Sequence, residues 1–195
     1  MLLVGLTATA QEFYKGADVG WMTEMESKGH KWYNAEGKET ECLQLMKEYG
    51  INAVRLRVWV DPSKHDNWCN LDDVIVKAKR AQKLGMEIML DFHYSDWWCD
   101  PAKQPIPASW MGHSYEQMKQ DLKEYTISVL NTLKKEGYRQ LSRVLQESSH
   151  STNGRCKGVF YWEPECKPSQ YKLGAFTEDG HPTRIMDAFK EFPVK

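Results

Sequence analysis

Eight consecutive residues carry most of the side chains in this sequence that can do chemistry: Asp91, Phe92, His93, Tyr94, Ser95, Asp96, Trp97 and Trp98. Two carboxylates, an imidazole, a phenol and two indoles stand side by side there. The mixture suits a carbohydrate. The flat apolar faces of sugar rings lie on indoles, and the hydroxyl edges take hydrogen bonds from Asp, His and Tyr. So many polar groups and aromatics in so short a stretch point to a site; the competing reading is an aromatic loop that packs on the core. Three further places hold candidates. Asp18 is embedded in the KGADVGWM stretch, where a carboxylate marks either a site or a satisfied structural role. Arg55 and Arg57 lie in INAVRLRVWV, and Glu163 follows GVFYW.

The elements that must position these residues follow from periodicity. Residues 86–90 (MEIML) read as a buried strand that delivers the aromatic patch at its carboxyl end, which is where parallel α/β proteins carry their chemistry. Residues 15–22 read as an earlier strand, 32–37 as a loop turning around Asn34-Ala35-Glu36-Gly37, and 39–49 as a helix with Leu43 and Met46 inward, stopped by Gly50. Residues 51–60 are the next strand. Alternation puts Arg55, Arg57 and Trp59 on one face and Val54, Leu56 and Val58 on the other. Two arginines on one strand face suit a closed barrel, whose interior can hold carboxylate partners; the alternative is an edge strand with solvated arginines. A loop over 61–70 ends in the N-cap candidate Asn70. Residues 71–84 form an amphipathic helix with Leu71, Val74, Ile75, Ala78, Ala81 and Leu84 inward, closed by Gly85. After a proline-punctuated loop (101–110), a long helix is expected over 114–136, with Met118, Leu122, Tyr125, Val129 and Leu133 on one stripe and Gly137 at its end.

Strand and helix thus alternate three times, the pattern of a parallel α/β fold. Then the rhythm breaks. Residues 138–147 read as another helix instead of a strand. A polar loop follows, then a strand over 158–162 ending in Glu163-Pro164-Glu165, a loop over 171–180 and a last helix over 183–192.

The chain has 195 residues, enough for one sizeable core, and a net charge of −1 with 27% charged residues, so nothing suggests a nucleic-acid partner. No apolar run is long enough to span a membrane. Several of the eight tryptophans, Trp68, Trp97, Trp98 and Trp110, fall in loops. The start, MLLVGLTATAQ, resembles the end of a secretory leader, with Ala8-Thr9-Ala10 fitting cleavage before Gln11, so residues 1–10 are set apart from the domain over 11–195 and a secreted, periplasmic or cell-surface location is expected. There are five cysteines and no C-x-x-C pair, which argues against a zinc site. Cys69 and Cys99, in loops after neighbouring strands, are a candidate disulfide.

Four segments, KGADVGWMTEME (15–26), GINAVRLRVWVDP (50–62), LDFHYSDWWCDP (90–101) and GVFYWEPE (158–165), resemble glycoside hydrolase family 53 in order and spacing. The resemblance implies an eight-stranded (β/α)8 TIM barrel and retaining hydrolysis of β-1,4-galactosidic bonds in galactan or arabinogalactan, the side chains of pectin. It implies two glutamates about 5–5.5 Å apart as acid/base and nucleophile. It carries over Asp18 as the first-strand aspartate, Arg57 as the second-strand arginine that keeps the nucleophile charged, and His93, Tyr94, Asp96 and Trp97 as the third-strand patch, beside which Trp98 is a further candidate for holding sugar. Trp162 carries over as the eighth-strand aromatic platform, with Glu163 following it. All are expected as binding or supporting residues for a polysaccharide, with no cofactor; the calcium site found in some members is mostly absent here.

Two family features are missing. The acid/base glutamate is expected after an asparagine, and the sequence contains no Asn-Glu dipeptide; nor does it contain the Thr-Glu-Thr-Gly-like segment expected around the nucleophile. Residues up to Gly137 resemble strands one to three with their helices, and residues from Tyr138 resemble the seventh helix and the eighth strand. The expected architecture is therefore about half a barrel, joined at 137/138, with both catalytic glutamates gone. The function to expect is either family membership without hydrolysis, retention of galactan binding alone, or a fragment with no stable fold. Strands eight, one, two and three are neighbours in such a barrel. The half should keep a contiguous sheet with two open edges, strip Arg55 and Arg57 of their carboxylate partners, and favour self-association.

Overall fold

A computed structural model describes residues 13–100, 102–136, 158–161, 163–172 and 174–191. The leader-like residues 1–10, the 137/138 junction, the helix expected over 138–147, Cys156 and Trp162 lie outside the described residues.

Four strands form one parallel sheet: β1 (Tyr14–Asp18), β4 (Ala53–Val58), β5 (Glu87–Phe92) and β6 (Gly158–Tyr161), in the order β5-β4-β1-β6. This is the neighbour order expected for strands three, two, one and eight of a barrel. β4 lies inside the sheet, which rules out an edge strand with solvated arginines. Its Val54, Leu56 and Val58 are buried and join one core with the apolar stripe of α3 (Leu71–Lys83) and with Leu43 and Met46 of α2 (Cys42–Glu48). Asn70 caps α3, its side chain accepting from the Asp73 backbone N–H at 2.9 Å. The long helix α4 (Tyr115–Lys135) opens on a capping box between Ser114 and Gln117. Of its stripe, Val129 and Leu133 are buried against the core. The last helix is α5 (Arg184–Glu191).

Several boundaries differ from expectation. β1 ends at Asp18, and Met22 starts a short helix, α1 (Met22–Ser27), whose Met22 and Met25 are buried. The turn at Asn34–Gly37 is present, but it closes a two-stranded antiparallel ribbon of β2 (Trp32–Tyr33) and β3 (Glu39–Thr40). Glu39 is therefore strand, and α2 begins at Cys42 with Glu41 as its cap, accepting from the Gln44 N–H at 2.6 Å. The proposed disulfide is absent: Cys69 and Cys99 are free thiols, as are Cys42 and Cys166. The Cys69 thiol donates instead to the Gly20 carbonyl at 3.3 Å, and Cys99 lies beside Ser95 and His93.

Candidate functional site

Side chains from four strand ends meet on the face of the sheet opposite α3. The parallel register pairs Asp18 with Arg55 and Arg57 with Asp91, so these side chains stack along one face near the carboxyl ends. Arg55 bridges two carboxylates, reaching Asp18 Oδ2 at 2.8 Å and Asp91 Oδ2 at 2.6 Å. Arg57 is fully buried and donates to Glu163 Oε1 at 2.7 Å; the side chains are 1% and 3% exposed. Both arginines thus keep carboxylate partners, contrary to the expectation that a half-barrel strips them. A buried guanidinium without a counter-charge carries a heavy desolvation penalty, and β6 lies next to β1, close enough for Glu163, two residues past its end, to supply one. Gly20 makes the room: a Cβ there would stand 2.2 Å from Arg57 Nη2. Glu163 itself has φ +44, a left-handed conformation that costs a non-glycine residue on the order of 1–3 kcal/mol and recurs at functional sites.

The carboxylates differ in charge. Burial, reinforced by the charge of Glu163, outweighs Arg57 and Arg55 and pushes the Asp18 pKa up to about 7 despite its ion pair. Burial and then the charge of Glu163 push Glu165 well above the carboxylate range, so Glu165 is held as the neutral acid beside Glu163. Burial also works against ionisation of Asp91, but the His93 hydrogen bond and Arg55 overcome it and hold Asp91 below its ordinary value. His93 is fixed by its neighbours. The Trp59 indole N–H donates to His93 Nδ1 at 3.3 Å, so Nε2 carries the proton and donates it to Asp91 Oδ2 at 2.9 Å.

Above the charges lies an aromatic floor. The Arg57 guanidinium sits 4.1 Å from the centroid of the Trp98 ring and 5.0 Å from that of Trp59. Trp59 and Trp97 are 4.5 Å apart, Trp97 stacks on His65 at 3.5 Å, and Trp21 lies 6.2 Å from Trp98. Trp97 and Trp98 are partly exposed and offer ring surface next to His93 and Asp91, whereas Trp59 is buried behind them.

The structure therefore brings Asp18, Arg57, His93, Trp97, Trp98 and Glu163 together, but in unequal roles. Asp18 and Glu163 are buried ion-pair partners, whereas Asp91, His93, Trp97 and Trp98 keep partly exposed surface. Asp96 belongs to the loops: Oδ1 accepts from the Asp61 N–H at 3.1 Å and Oδ2 from the Ala108 N–H at 2.8 Å. Tyr94 points to α4, its hydroxyl 3.0 Å from Thr126, and lines an adjoining groove of about 480 Å³ that His93 also borders, with Phe92, Ile106, Trp110 and Leu122. Trp59 completes the floor; its alternation with Arg55 and Arg57 signals it in the sequence. Trp21 comes from a turn and His65 from a short 3-10 helix (Ser63–His65), with no such signal. Among the described residues, the donors that gather most closely are Glu163, Glu165 and Cys166; a thiol beside two carboxylates, with Arg57 already on Glu163 and the Trp21 N–H on Glu165, is a poor match for calcium, which takes six to eight oxygens.

A parallel strand-helix sheet with ion-paired arginines beneath indoles at the strand ends is the arrangement of an α/β barrel segment. The model of glycosyl hydrolase family 53 matches residues 14–144, and the chain belongs to that family. It is 36% identical over 163 residues to the endo-beta-1,4-galactanase of Bacillus subtilis (strain 168), covering 80% of this chain and 37% of that protein. It is 39% identical over 128 residues to arabinogalactan endo-beta-1,4-galactanase A of Aspergillus niger, covering 65% of this chain and 36% of the relative. Among solved structures, one from a study of two fungal beta-1,4-galactanases superposes with a TM-score of 0.61 at 37% identity, over 64% of this chain and 37% of that one. The Ignisphaera aggregans GH53 catalytic domain superposes with a TM-score of 0.62 at 30% identity, over 71% and 40%. The chain thus spans little more than a third of the length of these relatives, and its fold is part of their barrel.

Proposed function

We propose that this chain recognises β-1,4-galactan, the substrate class of the endo-β-1,4-galactanases it resembles, and that it supplies the sugar-holding part of that active site without the hydrolytic pair. The observation that carries the reading is the indole floor of Trp59, Trp97 and Trp98 over Arg57, flanked by the Asp91–His93 pair. A galactosyl ring lying on Trp97 or Trp98 places its hydroxyls within reach of His93 and Asp91, whose orientations are already fixed by Trp59 and Arg55. Retaining hydrolysis needs an acid and a nucleophile about 5–5.5 Å apart with substrate between them. Asp18, Glu163 and Glu165 are buried, and Glu163 is bonded to Arg57, so none stands ready to attack an anomeric carbon or protonate a leaving oxygen. The absence of an Asn-Glu dipeptide supports the same reading. The resemblance of residues 1–10 to the end of a secretory leader supports an extracellular setting for this binding.

Affinity electrophoresis tests the proposal. In a gel containing β-1,4-galactan, the purified chain should be retarded relative to a gel without it, and Trp98→Ala should run with less retardation. Equal mobility in both gels, or undiminished retardation of Trp98→Ala and Trp97→Ala together, rules out the aromatic floor as a galactan site.

A further inference from the structure

The described part of the sheet ends abruptly on both sides. Among the described residues, β5 pairs only with β4 and β6 only with β1, and all three pairings in the sheet are parallel. The apolar stripe of α4 ends abruptly too. Val129 and Leu133 are 1% and 0% exposed, yet Leu122, on the same stripe, is 40% exposed and Tyr115 is 74% exposed. The uncovered end of the stripe borders the groove along Phe92 and Tyr94 at the open side of β5, with Ile106 on its other wall. The core of this chain therefore continues into solvent at the place where the next strand and helix of a parallel barrel would pack.

We infer that two copies of this chain close a single eight-stranded parallel barrel, with β5 of each copy pairing to β6 of the other. Symmetry selects this occupant. A half-turn about an axis along the strands leaves strand direction unchanged, so both new junctions are parallel like the three that exist. Four strands from each copy make eight, the number at which barrel interiors fill with side chains and no edge remains. Pairing β5 with β5 would be antiparallel and would leave both β6 edges open. Charge permits closure as well. Arg55 and Arg57 are already paired with Asp18, Asp91 and Glu163 within one copy, so bringing two inner faces together leaves neither cation without its partner. Each copy contributes two surfaces, the groove beside β5 and the β6 edge with its following segment, and the two-fold repeats both junctions. A standard interface needs about 800 Å² from each partner.

The experiment is sedimentation equilibrium of the full purified chain over a dilution series, with Leu122→Glu as the test variant. The parent should have twice the chain mass of 22.7 kDa. Leu122→Glu places an unpaired charge in each junction and should raise the dissociation constant roughly a hundredfold or more. Its circular dichroism should be unchanged, because Leu122 is outside the buried core; Tyr115→Glu serves if it is not. Hydrogen exchange should show the backbone amides of residues 87–92 more protected in the parent than in the monomeric variant. A parent that is monomeric throughout, or that forms trimers and larger species, overturns the inference. So does a dimer that survives both substitutions, since it would use another surface.

Discussion

Removing the buried guanidinium is the sharpest perturbation of this site. Arg57→Met keeps an apolar stem of similar length but strands Glu163, whose side chain is 3% exposed, with Glu165 and Asp18 as its neighbours. Breaking a buried pair by deleting one member costs about 3–5 kcal/mol, because the remaining charge must be desolvated without compensation. The guanidinium stacked beneath Trp98 is lost as well, a contact worth on the order of 1–2 kcal/mol when desolvated. For a chain of this size a loss of 3–5 kcal/mol lowers the melting temperature by roughly 6–20 °C, a large share of total stability. Thermal melts followed by far-UV circular dichroism read this directly. The double variant Arg57→Met/Glu163→Gln removes both charges and should recover most of the loss, so the two substitutions must be strongly non-additive. Arg57→Met melting within about 1 °C of the parent, or a double variant whose loss equals the sum of the two singles, would refute a buried, mutually dependent pair.

Asp18 makes stability pH-dependent in a set direction. Its folded pKa of about 7 lies above the ordinary 3.8, so the folded chain binds the extra proton; its contribution is fully present below pH 3.8 and is lost as pH rises to about 7. Melts across that window should show stability falling with rising pH, and Asp18→Asn should flatten the slope. Asp91, held below its ordinary value, acts in the opposite sense and loses its contribution as pH falls below 3.8. Cys69 and Cys99 are free, so both should be alkylated in denatured protein without prior reduction, as shown by peptide mass mapping; a Cys69–Cys99 peptide would contradict the structure. Asn70→Ala should cost about 1 kcal/mol through loss of the α3 cap, measured by urea unfolding.

Elements whose signals are local were legible in the sequence. The alternation of residues 51–60 placed Arg55, Arg57 and Trp59 on one face, and the structure keeps them there. The stripes of α3 and α4, the Asn70 cap and the glycine after α3 likewise depend on neighbours within a few residues. The β2–β3 ribbon escaped because two-residue strands are too short to show a period, and the Glu41 cap because glutamate is an uncommon cap. The site divided in the same way. The patch from Asp91 to Trp98 was visible as composition, but composition does not reveal that Asp96 ties two loops together or that Tyr94 faces α4. The pairing of Arg57 with Glu163 spans 106 residues, and Glu163 makes it from a positive-φ backbone. No local pattern encodes such a contact.

The most direct measurement is reducing-sugar release from β-1,4-galactan by the purified chain, run beside the affinity gel on the same preparation. A galactan-holding site without a hydrolytic pair predicts retardation in the gel and no release above a buffer control. Release of galacto-oligosaccharides that disappears in Glu163→Gln would contradict it, and would mean that the carboxylate paired with Arg57 is the working nucleophile or acid of a complete site.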